Sequence, residues 1–197
     1  MKKTNLLILA FLVAFSSVSS KLAAQEKQID PTQLTINAVV ITEKDVLDIQ
    51  KIWGEGIVNI GNVFSANGDY KSAAEKHIDE LYGYNLGPVL FKPTLASEIQ
   101  FRTTREGALS YFIGHNPDFP EDHGFAIRPW SSVRWESIGI KTIGNMSVAM
   151  GNYFFTPASG GEEVKVEYTF AYTRDNEGKL RIIMHGSHLP YSPIVKH

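Results

Sequence analysis

The chain reads as an α+β domain in which an antiparallel sheet curls around helices that precede it. Three observations carry this reading. Apolar residues recur at spacings of three and four through the first half of the chain. Four segments of the second half alternate apolar and polar residues. The connections between those segments are short and built from turn-forming residues. At 197 residues, 43% hydrophobic and 20% charged, the chain has the size and composition to bury one core.

The first stretch, MKKTNLLILAFLVAFSSVSSKLAAQ, opens with Lys2 and Lys3, continues as an apolar run from Leu6 to Phe15, and ends in small and polar residues near Ala23 and Ala24. That is the layout of a secretory signal peptide over 1–24. The run falls short of the roughly 20 residues that span a bilayer. An exported protein, periplasmic or secreted, with no membrane attachment after cleavage is the expectation. Removing the leader takes away Lys2, Lys3 and Lys21 and moves the formal charge from −2 to about −5, which argues against a nucleic-acid partner. The chain has no cysteine, so disulfides, thiolate metal sites and thiol catalysis are excluded.

Residues 25–41 contain Pro31 and no clear period, and read as a flexible lead-in. One domain is expected over 42–192. Thr42 with Asp45 caps a first helix, whose apolar face is Val46, Ile49, Trp53, Ile57, Ile60 and Phe64. Gly54, Gly56 and Gly61 each weaken it by up to about 1 kcal/mol relative to Ala, so tertiary packing must hold it, with another part of the chain passing close by. Asn67-Gly68 ends it. A second helix runs from about Lys71 to Tyr82, with Ala74, Ile78 and Leu81 on one face and Gly83 closing it.

Tyr84 to Arg102 carries two prolines and is extended or looping. Thr103 and Glu106 cap a short third helix through Ile113. Residues 114–130, rich in Gly, Pro and acid, form a long loop placed to fold over a pocket. Strands follow at Val133–Ile143, Met146–Phe155, Glu162–Thr173 and Lys179–Ser187, joined as a meander. A sheet wrapped on helices leaves a cavity between the two layers.

Period-two geometry in the last strand puts Arg181, Ile183, His185 and Ser187 on one face. A neutral imidazole beside a hydroxyl accepts or passes a proton near neutral pH; a hydrogen-bonded core histidine is the plainer alternative. His77, His115, His123 and His197 show no metal-binding spacing with one another, and no G-x-S-x-G elbow is present for a serine hydrolase.

The run GYNLGPVLFKPTLASEIQFRTTREGALSYFIGHNPDFPEDHGFAI, followed by GKLRIIMHGSHLPYSP, resembles the iota-class carbonic anhydrase family, and the similarity extends more loosely from about Trp53 to Tyr191. The resemblance implies the cone-shaped fold of nuclear transport factor and ketosteroid isomerase relatives. It also implies reversible hydration of carbon dioxide to bicarbonate in a hydroxyl-lined pocket, in some members without metal. Thr94 matches the threonine of the family's F-K-P-T, Tyr111 the tyrosine of its A-L-x-Y-F, and His185 and Ser187 its final strand. These four are the catalytic candidates, with Thr94, Tyr111 and Ser187 expected around the oxygens of bicarbonate and His185 on the proton. The family's H-H-S-S-x-P is here His185-Gly186-Ser187-His188-Leu189-Pro190, and by strand parity both departures face away from His185 and Ser187.

A metal-free site must replace the roughly 12 kcal/mol by which zinc lowers the cost of ionising water; proton removal concerted with attack is the substitute. No cofactor is expected, although a divalent metal such as zinc or manganese on His185 stays open. Arg102 adds positive charge for an anion or forms a surface ion pair. A homodimer is expected, because the outer face of the strands, including Val164, Val166, Tyr168, Phe170 and Tyr172, or its counterpart, has more apolar surface than one cavity needs. The fold also serves as an association module in calcium/calmodulin-dependent kinases, so a dimeric binding protein without turnover is the alternative. A ketosteroid isomerase-like enzyme would want an acidic base, which the matching positions lack. A zinc cyclohydrolase would want cysteine ligands.

Overall fold

The computed structural model describes residues 40–193. The leader expected over 1–24, nearly all of the lead-in over 25–41, and His197 lie outside the described residues.

Helix α1 (Glu43–Ser65) starts as its cap predicts. The Asp45 amide donates to Thr42 Oγ1 at 3.1 Å and the Thr42 amide donates to Asp45 Oδ2 at 2.8 Å, a reciprocal pair that satisfies two otherwise orphaned donors. Val46, Ile49, Trp53, Ile57 and Ile60 are buried as their spacing requires, whereas Phe64 stays 37% exposed and meets Tyr70 edge-on at 5.0 Å. Helix α2 (Tyr70–Leu81) is capped by Asp69 and packs on α1. The α1 glycines mark close approach: a Cβ on Gly56 would lie 2.1 Å from His77 Nδ1, and one on Gly61 would lie 3.1 Å from the Ala126 carbonyl oxygen.

Gly83 does not close α2 in a left-handed conformation. Tyr82 already turns into extended backbone at φ −94° and ψ 145° and bridges Ile182, and the Gly83 amide donates to the Ile182 carbonyl at 2.8 Å. The chain thus passes directly from helix to sheet edge. Strand β1 (Leu90–Lys92) then pairs in parallel with the last strand, an edge that local patterning does not reveal because its partner lies some 90 residues away. Helix α3 (Arg105–Ile113) is capped by Thr104, one residue later than expected, with the Gly107 amide donating to Thr104 Oγ1 at 3.1 Å.

The meander follows as β2 (Trp130–Ile143), β3 (Met146–Pro157), β4 (Val164–Arg174) and β5 (Leu180–His188), with sheet order β1-β5-β4-β3-β2. Its inner face presents Tyr153, Phe155, Val166, Tyr168, Phe170 and Tyr172, all buried against the helices. The space between α1 and the sheet is filled rather than hollow. Trp53 sits at its centre with Trp135, Tyr153, Phe155, Phe170 and His185 at ring separations of 5.6 to 6.3 Å. Aromatic side chains of this size occupy the volume that the wrapped sheet encloses.

One local irregularity corrects the reading of β5. Ala171 pairs with Met184 and Tyr172 with Ile182, so Ile183 is an extra, bulged residue and the parity inverts there. Ile182, not Ile183, shares the inward face with His185 and Ser187. Arg181 is buried elsewhere, with Nε on Asp175 Oδ2 at 2.6 Å and Nη1 on the Asp79 and Glu80 carbonyls at 2.7 and 2.6 Å. It satisfies carbonyls that the end of α2 leaves unpaired.

Candidate active site

Four elements converge at the β1–β5 edge. Strand β5 directs His185 and Ser187 inward beside Tyr168 and Phe170, β3 brings Tyr153, the segment after β1 brings Thr94, and α3 brings Tyr111. Tyr153 donates or accepts against Ser187 Oγ, and Ser187 against Thr94 Oγ1. The Tyr111 oxygen faces the Thr94 hydroxyl and the Leu95 amide. The structure therefore brings the four candidates into one cluster: Thr94, Tyr111 and Ser187 as adjoining hydroxyls, and His185 joined to them through Tyr153.

The histidine is held on every side. Its ring lies stacked between Phe91 and Phe170 at centroid separations of 4.6 and 4.0 Å, with the Trp53 ring edge-on at 5.6 Å. Trp53 Nε1 donates to the Tyr82 hydroxyl at 2.9 Å, and that hydroxyl lies 2.9 Å from His185 Nδ1. An indole N–H only donates, and Tyr82 is fully buried, so the phenol's own proton goes to Nδ1. The imidazole proton then sits on Nε2, which faces the Tyr153 hydroxyl at 3.3 Å. The order of donors is Trp53 to Tyr82 to His185 to Tyr153, ending on the Ser187 and Thr94 hydroxyls.

Burial, reinforced by the nearby His77 and His188, pushes the His185 pKa well below its ordinary 6.5 and keeps the ring neutral. Burial also raises the Tyr82, Tyr111 and Tyr153 phenols above their ordinary 10, so each remains a proton-bearing donor. The site is an uncharged array of hydroxyls backed by a neutral imidazole. Tyr82 and Tyr153 escape sequence reasoning because each looks like an aromatic core residue at helical or strand spacing.

Arg102 forms neither a surface ion pair nor a site cation. It is fully buried and gives Nη2 and Nε to the two Asp122 oxygens at 2.7 and 3.2 Å, while Nη1 donates to the Ile99 carbonyl. Ser110 donates to the same carboxylate at 2.6 Å, tying α3 to the 114–130 loop. Beside it, Glu121 accepts from the Ser97, Glu98 and Ile99 amides at 2.7 to 3.0 Å. Burial alone would raise this carboxyl, and these donors outweigh it and draw the pKa to about 2. The loop is thereby clamped to the segment that carries Thr94 and Leu95. A cavity of about 50 Å³ lies between them, lined by Leu95, Tyr111, His123, Phe125 and Arg128 among others.

The remaining histidines stand apart from the hydroxyls. His77 is buried against Trp53 and Phe112, which lowers its pKa to about 3, and His115 and His123 are exposed in the loop. Among the described residues no three His, Asp or Glu side chains are grouped to hold a metal ion, and both His185 nitrogens already face phenols. The zinc or manganese left open by the sequence has no donor set there.

The family model for metal-independent carbonic anhydrase matches residues 44–189. A relative from Nostoc sp. strain PCC 7120 bearing that same description is 49% identical over 154 residues, covering 77% of this chain and 75% of the relative. Among solved structures, the iota-carbonic anhydrase from a cyanobacterium complexed with bicarbonate aligns with a TM-score of 0.75 at 47% identity, across 78% of this chain and 95% of that one. These likenesses run through the whole region that assembles Thr94, Tyr111, His185 and Ser187, and the chain belongs to the metal-independent, iota-class carbonic anhydrase family.

Proposed function

We propose that this chain hydrates carbon dioxide reversibly at the Thr94, Tyr111 and Ser187 hydroxyls, with no metal taking part. The observation that carries the reading is the donor order that starts at Trp53, passes through neutral His185, and ends on Ser187 and Thr94. As the oxygen of a bound water forms its bond to the carbon, one water proton passes to a Ser187 or Thr94 oxygen. That hydroxyl gives its own proton to a carbon dioxide oxygen. The product is carbonic acid, which ionises to bicarbonate, and no group has to hold a hydroxide ion beforehand. Tyr111 donates to the oxygen on which charge develops. His185, too weak a base to take the water proton, positions Tyr153 through Nε2–H and so orients Ser187.

Stopped-flow hydration of carbon dioxide by the purified protein, with and without chelator, tests this together with Ser187→Ala and Thr94→Ala. Activity that survives chelator and falls at least about 100-fold in both variants is expected. Activity lost to chelator overturns the metal-free step, and a folded protein without activity favours the association-module reading.

Export and dimerisation belong to the same proposal. The leader composition supports the first. The second is supported by an apolar group on the outer face of the sheet, where Ile143, Met146, Val148 and Met150 are 38 to 71% exposed. Val166, Tyr168, Phe170 and Tyr172 point the other way, into the core.

A further inference from the structure

We propose that Arg128 and the cavity beside Tyr111 form an anion subsite that receives bicarbonate as it leaves the hydroxyl cluster and presents it for the reverse reaction. The inference rests on the functional reading above, and it adds a residue and a ligand charge to it. The cavity of about 50 Å³ shares Tyr111 and Leu95 with the hydroxyl cluster. A single water needs about 10–15 Å³ of such space, so it admits a ligand of roughly four heavy atoms.

The charges around the cavity decide what that ligand is. Two carboxylates line it, and both are already engaged. Asp122 is paired with Arg102 and accepts from Ser110. Glu121 accepts from three amides and the Ser97 hydroxyl, with Arg102 3.6 Å away. His123 is exposed on the rim. Arg128 is exposed and has no ion-pair or hydrogen-bond partner among the described residues. Its charge favours negative charge at the Tyr111 oxygen, against an opposing effect of Asp122. A guanidinium placed there acts on an anion and hardly at all on neutral carbon dioxide, so it separates product from substrate by charge.

The test is bicarbonate binding to the mature protein, followed by ¹³C NMR titration and by product inhibition of hydration, for the wild type, Arg128→Gln and Arg128→Lys at several salt concentrations. The expected result is an affinity about fivefold weaker in Arg128→Gln, largely restored in Arg128→Lys, with the salt dependence of binding reduced in the glutamine variant. Because Arg128 is exposed, thermal melts of the variants should match the wild type. Unchanged affinity in Arg128→Gln, or weakened affinity with the full salt dependence kept, overturns the subsite. If the wild type binds bicarbonate through Arg128 yet hydrates no carbon dioxide, the subsite stands and the catalytic reading falls. If hydration is present and Arg128 is indifferent, the reverse holds.

Discussion

At the residue scale, the site is defined by which atom holds each proton. Tyr153 lies within hydrogen-bonding reach of both His185 and Ser187, and its ring also packs on Trp53, Trp135 and Tyr168. Tyr153→Phe keeps that packing and removes only the hydroxyl. Hydration should therefore fall about 100-fold, while the loss of a buried acceptor for His185 Nε2–H costs about 1–3 kcal/mol and lowers the melting temperature by a few degrees, as read by stopped flow and thermal unfolding on the same preparation. His185 gives a second prediction. Buried between Phe91 and Phe170, it should show an Nε2–H tautomer in ¹⁵N NMR and remain neutral as pH falls through its ordinary value of 6.5. A titration near neutrality would instead make it the base. His185 and Ser187 were legible as a same-face pair from strand parity, and Thr94 and Tyr111 from the family resemblance. Tyr82 and Tyr153 were not, because a hydroxyl on an inward aromatic becomes functional only through neighbours that arrive from other elements.

At the element scale, local signals fared well where a few residues settle the matter. Thr42 and Asp45 start α1 as predicted, and the Gly144 turn at φ 61° joins β2 to β3. They failed where a distant partner intervenes. Gly83 looks like a helix stop but serves the approach of β5, and β1 exists only because β5 lies beside it. The bulge at Ile183 reverses the parity of Arg181 and frees it to hold the end of α2. The α1–α2 contact yields a test. An alanine at Gly56 would gain helix propensity of up to about 1 kcal/mol. Its Cβ would also lie 2.1 Å from the His77 ring, an overlap that costs typically about 1–3 kcal/mol. Gly56→Ala should lower stability in urea unfolding, and adding His77→Ala should remove the overlap penalty. A stable single variant would show that α2 shifts freely.

At the scale of the whole molecule, two properties follow from what is buried and what is not. The apolar outer face of β3 predicts a dimer by sedimentation, and Val148→Lys with Met150→Lys should give a monomer of unchanged fold. Acid stability follows from the buried titratable groups. A group whose folded pKa is depressed stabilises the fold above its ordinary value, and the contribution is lost as pH falls toward the folded value. His77, at about 3 against 6.5, and His185, lower than 6.5, therefore begin to destabilise the fold below about pH 6.5. Glu121, at about 2 against 4.5, adds its loss below about pH 4.5 and loosens the Thr94 segment. Urea midpoints should decline in these two stages, and a flat response between pH 7.5 and pH 5 would contradict the burial of the histidines. Helices, strands, turns and the α+β order were readable in the chain because each depends on side-chain periods and caps within a few residues. The filled interior, the burial of Arg102 on Asp122, the β1 edge and the proton order through Tyr82 and Tyr153 were decided only by tertiary structure. Each depends on groups far apart in sequence, and desolvation and hydrogen-bond direction act only once those groups share a volume that excludes water.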